Sequence, residues 1–386
     1  MATDFLHGVE VLQIDSGPRT IQTVSSSVIG VVGTAPNADA NKFPANKPVL
    51  IAGSFSEAAG LGEAGTLPDA INGIFDQIGA VVIVVRIEEG GSEAETISNI
   101  IGGYDSATGN YTGAHVLLTA QSVTGQSPKI LIVPQYSATL AVASEMEGIT
   151  DRLRACFLVD GPNTTDAAAI AYRDNFGSKR FMVCDPWHRV WDTTTSAETV
   201  KPNSPRVAGR MAKTDNERGF WWSTSNQTIG GILGTARPVD FVLGDTASRA
   251  NLLNASEVTT FVQHEGFRVW GNRTCSADPK WAFLSVVRTA DLINESIQRG
   301  HFWAIDRNIT KTYIEDVVES VNNYIRSLVR QGALLGGRCW ADPELNTPDQ
   351  LEAGRVYFDV EFTPPTPAER ITFRSHLVND YFSEVV

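Results

Sequence analysis

Residues 355–386 read RVYFDVEFTPPTPAERITFRSHLVNDYFSEVV. Two strand-like runs, 357–363 and 370–377, flank a Pro364-Pro365-Thr366-Pro367 spacer. In the second run Ile371, Phe373, Ser375 and Leu377 fall on one face, and Thr372, Arg374, His376 and Val378 on the other. That is the period of a half-buried strand. A proline spacer is extended and semi-rigid, so Pro364, Pro365 and Pro367 are expected to act as a hinge holding the last strand off the body. An unpaired strand edge is not stable alone. The terminal strand is therefore predicted to pair with a neighbouring copy through Ile371, Phe373 and Leu377.

Working back from this stretch, residues 311–330 form the clearest amphipathic helix. Ile314, Val317, Val318, Val321, Ile325 and Leu328 line one face, and Gly332 ends it. Glu315 and Glu319 lie in its first half and Arg326 and Arg330 in its last turns, the order that suits the helix dipole. The stripe is core packing on the plainer reading. On the sharper one the opposite face, with Lys311, also meets a partner. Residues 281–299 carry a second helical stripe. VTTFVQHEGFRVWGNRT reads as paired strands around Glu265-Gly266. Residues 129–184 alternate strand and helix, with Thr165-Asp166 opening one helix, and predict a small parallel sheet flanked by helices. Residues 90–127 read as a Gly- and Ser-rich connection, and 187–240 as polar and irregular. Residues 80–87, AVVIVVRI, are apolar on both faces, as in a strand buried on both sides of a sheet. With 28–32, 49–51 and a helix from Thr66, they make an α/β layer. Val9, Val11, Leu12 and Ile14 give a short N-terminal strand with one phase slip.

With 386 residues the chain is long enough for two or three compact units. Its net charge of −13 argues against a nucleic-acid partner, since phosphate binding needs a basic face. No apolar run approaches a membrane span, and the opening residues have neither the basic nor the apolar region of a secretory signal. The four cysteines, Cys156, Cys184, Cys275 and Cys339, are far apart. They read as small core hydrophobes folding in a reducing cytoplasm.

Catalytic signatures are sparse. Gly30-x-x-Gly33 follows a strand but lacks the third glycine of a dinucleotide turn, and Pro36 stands where its helix should begin. Cys184-Asp185-Pro186-Trp187-His188 offers two metal-ligand types, but no second pair follows at ligand spacing. Glu88-Glu89 reads as solvated loop charge, and Trp221-Trp222 as a core or interface anchor. No catalytic residue, cofactor or metal is expected. The competing reading is an α/β enzyme or ligand-binding protein using residues 128–186.

Longer stretches carry a resemblance. FLHGVEVLQIDSGPRTIQTVSSSVIGVVGTAP, GTLPDAINGIFDQIGAVVIVVRIEEG, RGHFWAIDRNITKTYIEDVVESVNNYIRSLVRQGALLGGRCWAD and VYFDVEFTPPTPAERITFRSHL occur in this order. Together they resemble contractile tail sheath proteins, those of P2-like phages and R-type pyocins. The resemblance implies an α/β (α+β overall) fold and no enzyme. Its mixed-sheet inner domain is built from both chain ends (21–95 with 256–366). A βαβ-type outer domain is inserted (96–255), and extended β-arms lie at 1–20 and 367–386. It implies hexameric rings stacked helically around an inner tail tube protein, and contraction that drives the tube through a target envelope. Baseplate and tail terminator proteins are the further partners, with no nucleic acid and no membrane insertion. Assembly in the bacterial cytoplasm and release as a phage tail or bacteriocin particle follow. The helix 311–330 becomes a candidate tube contact through Lys311, Glu315, Glu319, Arg326 and Arg330.

Overall fold

The computed structural model describes residues 20–378 and Tyr381. Its first strands are β1 (Ile29–Thr34), β2 (Pro48–Ala52) and β3 (Val81–Ile87), followed by a small hairpin of β4 (Gly103–Asp105) and β5 (Asn110–Thr112). Then β6 (Ile130–Ile132), β7 (Cys156–Asp160) and β8 (Phe181–Cys184) alternate with helices Leu140–Leu153 and Asp166–Arg173. Three short strands, β9 (His188–Asp192), β10 (Ala197–Lys201) and β11 (Gly234–Thr235), form an antiparallel patch. The hairpin β12 (Val258–Gln263) and β13 (Phe267–Trp270) precedes the last pair, β14 (Gly336–Ala341) and β15 (Phe358–Thr363).

Eight strands share one sheet in the order β13-β12-β8-β7-β6-β1-β3-β2. The interior strands run parallel, and β2 and β13 close its two ends antiparallel. Alternate residues of the same strands feed opposite cores. Ile29, Val31, Val82 and Val84 pack under helices Thr66–Phe75 and Ser204–Arg218. Val32, Val85, Phe157 and Val159 pack under helices Glu93–Ile101 and Leu140–Leu153. The result is a three-layer α/β/α body, the arrangement that apolar-on-both-faces strands require.

The sequence suggests separate layers for 21–90 and 129–184, but their strands lie in one sheet. β1 sits between β3 and β6, with Val31 opposite Val84 on one side and Ile132 on the other. A strand buried on both faces has no water for its backbone, so leaving it at an edge is costly. Joining the two sets removes an edge from each. The hairpin expected around Glu265-Gly266 is present. Its loop has three residues, 264–266, between the paired Gln263 and Phe267, and Glu265 and Gly266 both have positive φ, 50° and 101°. Thr165 caps its helix by accepting from the Ala168 amide at 3.1 Å.

Two of the longer helices fall where the sequence suggests none. Glu93–Ile101 lies in the stretch read as a connection, with Ser92 Oγ accepting from the Glu95 amide at 3.2 Å. Ser204–Arg218 lies in the stretch read as irregular. It buries Arg206, Arg210 and Asp215 beside Val207 and Met211, so its apolar period is broken by charges.

Helix Leu284–Gly300 leads from the sheet to a third core, formed with helix Lys311–Gln331 and the pair β14–β15. Buried charges tie it to the sheet layers. Arg288 forks onto Asp215, with Nη1–Oδ1 at 2.9 Å and Nη2–Oδ2 at 2.5 Å, and Nη2 also donates to the Ser26 carbonyl at 3.2 Å. Arg180 forks onto Asp291 at 2.7 Å through both nitrogens, and Lys129 pairs with Glu295. All four cysteines are buried and unpaired. Burial pushes the Cys156 thiol up to about 11 and the Cys275 thiol up to about 12, so neither is a thiolate near neutrality.

Candidate assembly interface

Helix Lys311–Gln331 begins at Thr310, whose Oγ1 accepts from the Tyr313 amide at 3.1 Å, and ends at Gly332 in the left-handed region (φ 81°). Val317, Val321, Tyr324, Ile325 and Leu328 are buried, and Val318 is packed beside them. Its opposite face is solvated. Lys311 and Glu315 approach to 3.7 Å, Arg326 contacts Glu319 at 2.5 Å and Asn323 at 2.6 Å, and Arg330 is exposed. The five polar residues singled out in the sequence therefore share one open face.

After Gly332 the chain drops Ala333 and Leu334 into the core and enters β14, which pairs antiparallel with β15 over six residues each. The 16 residues between them (342–357) are pinned by Asn346. Its amide group donates to the Asp342 and Tyr357 carbonyls at 2.7 and 2.8 Å and accepts from the Tyr357 N–H at 2.8 Å.

The two outer edges of this pair differ. At Cys339 the N–H donates to Asn322 Oδ1 (2.8 Å) and the C=O accepts from Asn322 Nδ2 (2.9 Å). A helix side chain thus occupies the β14 edge. Because Cys339 turns its backbone away from β15, its partner Val360 must turn away as well. Alternation then sends the N–H and C=O groups of Phe358, Val360 and Phe362 off the far side. Among the described residues β15 has no strand on that side. Those three side chains pack onto the third core, while Asp359, Glu361 and Thr363 face outward. On the same outer face Arg338 Nε reaches Glu361 at 2.7 Å.

Replacing Asn322 with Ala is expected to strand both Cys339 backbone groups beside a packed helix. A loss of about 1–3 kcal/mol follows from unsatisfied partly buried groups. Chemical denaturation and amide exchange at Cys339 check it, and unchanged exchange would mean that water replaces the side chain freely.

Beyond β15, Pro364, Pro365 and Pro367 are half-buried. Glu369 is held by a two-point ion pair to Arg273, at 2.8 and 2.6 Å, and that guanidinium lies over the Phe283 ring at 5.5 Å. From Arg370 onward the side chains are exposed: Ile371 at 69%, Phe373 at 89% and Leu377 at 104%. No strand pairing is present at residues 370–378 among the described residues. Val9, Val11, Leu12 and Ile14 lie outside the described residues.

The stretches weighed for chemistry serve the core. His188 is fully buried, its ring edge-on to Phe261 at 4.2 Å, and burial together with the charge of Arg206 drives its pKa well below the usual range. Asp160 at the end of β7 accepts from Ser204 N and Oγ (both 2.8 Å), Ser137 Oγ (3.1 Å) and Gln135 N (3.2 Å). It thereby joins a helix start to two sheet loops, although burial pushes its carboxyl up to about 6. Trp221 packs on the third core against Phe220, and Trp222 carries Arg218 over its ring at 5.1 Å. Glu88 only approaches Arg86, at 3.8 Å. Among the described residues no three His, Cys, Asp or Glu side chains gather as a metal site, and no helix is long and apolar enough to cross a membrane.

Comparison with known proteins agrees with this architecture. The phage tail sheath protein central domain matches residues 109–275, and the phage tail sheath C-terminal domain matches 276–377. The N-terminal region of tail sheath protein Gp18 domain III matches 26–87. A prophage major tail sheath protein of Pseudomonas aeruginosa (strain UCBPP-PA14) is 44% identical over 383 residues, 99% of each chain. The tail sheath protein of Escherichia phage P2 is 39% identical over 391 residues, 100% of this chain and 98% of that one. Among solved structures, the anti-feeding prophage helical sheath in its contracted state shares the fold. Its TM-score is 0.74 at 20% identity, covering 98% of this chain and 100% of that one. Similarity along essentially the whole length of relatives so named places this chain in the phage tail sheath protein family.

Proposed function

We propose that the chain is the repeating subunit of a contractile sheath: hexameric rings stack helically around an inner tail tube protein, and shortening of the stack drives the tube through a target cell envelope. The observation that carries this reading is the unfinished pair β14–β15 in the same chain as an exposed, strand-patterned segment. Among the described residues β15 has an unpaired backbone edge, and residues 370–377 offer a strand-patterned segment with an apolar face. Glu369, held on Arg273, fixes the point from which that segment starts. The 17 residues after Glu369 span about 55 Å if extended, about the width of a body this size. They therefore suit the β15 edge of another copy.

Such contacts are head-to-tail and generate rings or helices rather than closed two-fold pairs. In this reading residues 21–95 with 256–366 make the inner part and 96–255 the outer part, the large sheet spanning both. The open face of helix Lys311–Gln331 meets the tube, and Val9, Val11, Leu12 and Ile14 form the second linking strand. The free pivot of the C-terminal arm lies after Glu369, with Pro364, Pro365 and Pro367 as its fixed root. Baseplate and terminator proteins close the two ends of the stack. Assembly takes place in the host cytoplasm, and the finished particle acts outside the cell as a phage tail or bacteriocin.

Negative-stain electron microscopy of the purified chain, concentrated at moderate salt, is the direct test. Tubes or stacked rings are expected. A uniform population of compact single particles at all concentrations would overturn the reading.

A further inference from the structure

Resting on the strand-exchange reading above, we infer that charge selects which arm the β15 edge accepts: the C-terminal arm of a second copy docks there, with Arg374 facing Asp359, and the N-terminal arm is turned away. Two complementarities coincide on this edge. The inward face of β15, carried by Phe358, Val360 and Phe362, borders the third core. The outward face carries Asp359 and Glu361. Glu361 is matched by Arg338 from β14 at 2.7 Å, whereas Asp359 stands opposite Trp340 and has no ion pair among the described residues.

The C-terminal arm carries the counterpart of both faces. When Ile371, Phe373 and Leu377 turn inward, Arg370, Thr372, Arg374 and His376 turn outward. An added strand then lays apolar residues beside apolar ones and a basic row beside the acidic one. Opposite charges on neighbouring strands attract, and like charges directly opposite repel. A slip of one residue inverts both matches together, so register is specified twice. Arg370 follows directly on the tethered Glu369, which leaves Arg374 at the middle of the free strand as the residue to meet Asp359.

The N-terminal arm has the wrong sign. Before Arg19 its charged residues are Asp4, Glu10 and Asp15, with no lysine or arginine. Glu10 lies between Val9 and Val11 and Asp15 beside Ile14, so an apolar-inward docking of this arm presents carboxylates to Asp359 and Glu361.

The test uses the full-length chain with Asp359→Lys, Arg374→Glu, the double exchange, and a truncation lacking residues 370–386. Each is assembled across a concentration series and scored by sedimentation and microscopy. Each single reversal is expected to raise the subunit concentration needed for tubes by about tenfold, since a cross-strand attraction becomes a repulsion. The double exchange is expected to return it to within about twofold of the starting protein. Raising salt to about 1 M should shrink the single-variant defects, because the Debye length falls to about 3 Å. Arg374 is exposed and Asp359 is half-buried without an ion pair among the described residues, so thermal unfolding of the monomers should move little.

Singles that assemble normally while the truncation fails would overturn the charge pairing and leave strand exchange standing. Defective singles without rescue by the exchange would show that these two residues do not face each other. A truncation that assembles normally would remove the strand-exchange reading itself.

Discussion

A subunit ending at Glu369 is expected to fold as the full chain does and to form no tubes. Among the described residues of the removed segment, little is contributed to the fold: Ile371, Phe373 and Leu377 are 69%, 89% and 104% exposed. Loss of unburied side chains changes stability by no more than about 0.5 kcal/mol. Cutting after Glu369 also keeps the ion pair to Arg273, so the arm's root and the half-buried prolines stay in place. The same residues carry the proposed joint between copies. Each main-chain hydrogen bond across such a joint contributes about 0.5–1.5 kcal/mol net. Ordering each residue of the arm costs a similar amount, so backbone pairing by itself is close to neutral. Burial of Ile371, Phe373 and Leu377 tips the balance, at up to about 1.5–3 kcal/mol for each fully buried side chain. A ring requires every joint at once, so removing the arm abolishes assembly rather than weakening it. Circular dichroism reports the fold, and sedimentation with negative-stain microscopy reports assembly. Tubes of normal diameter from the truncated chain would show that the copies are held by some other surface.

What the sequence reveals depends on whether a local pattern carries the information. Residues 80–87 announce a strand buried on both faces because no polar residue precedes Arg86, and β3 lies inside the sheet as expected. Helix Lys311–Gln331 is legible because its charges stay on one side of a continuous apolar stripe. Glu93–Ile101 had a local signal, Ser92 followed three residues later by Glu95, hidden among glycines and serines. Ser204–Arg218 has end signals, Pro205 in its first turn and Gly219 behind it, but its apolar period is broken because its buried positions include charges whose partners are distant: Arg206 pairs with Asp76 and Asp215 with Arg288. β14 reads poorly as a strand, with Gly336 and Gly337 at its start, and exists because β15 and Asn322 satisfy its two edges. For the interface, alternation marked residues 370–377 as a strand without a partner. It did not show the ion pair of Glu369, because the partner, Arg273, lies nearly a hundred residues earlier.

Those distant charge pairs decide how firmly the assembly module is attached to the sheet. Arg288→Ala is expected to lower the free energy of unfolding by about 3–5 kcal/mol, the usual cost of leaving one member of a buried pair uncompensated. The geometry places this pair in that class. The two side chains are 5% and 1% exposed, both carboxylate oxygens are engaged, and the same guanidinium holds the Ser26 carbonyl just ahead of β1. Truncation leaves Asp215 without its counterion and frees helix Leu284–Gly300 from helix Ser204–Arg218. An apolar exchange of both partners, Arg288→Met with Asp215→Leu, removes the buried charge together with its partner and should cost much less than either single change. Arg326→Ala is the contrasting control. Its pair with Glu319 joins half-exposed side chains, and such pairs contribute about 0–1 kcal/mol. Urea denaturation of the monomeric truncated subunit measures all three variants without interference from assembly. A loss below about 1 kcal/mol for Arg288→Ala would mean that the helix is held by apolar packing around Leu284 and Val287 alone. A large loss fully relieved by the double exchange would assign the attachment to this one pair.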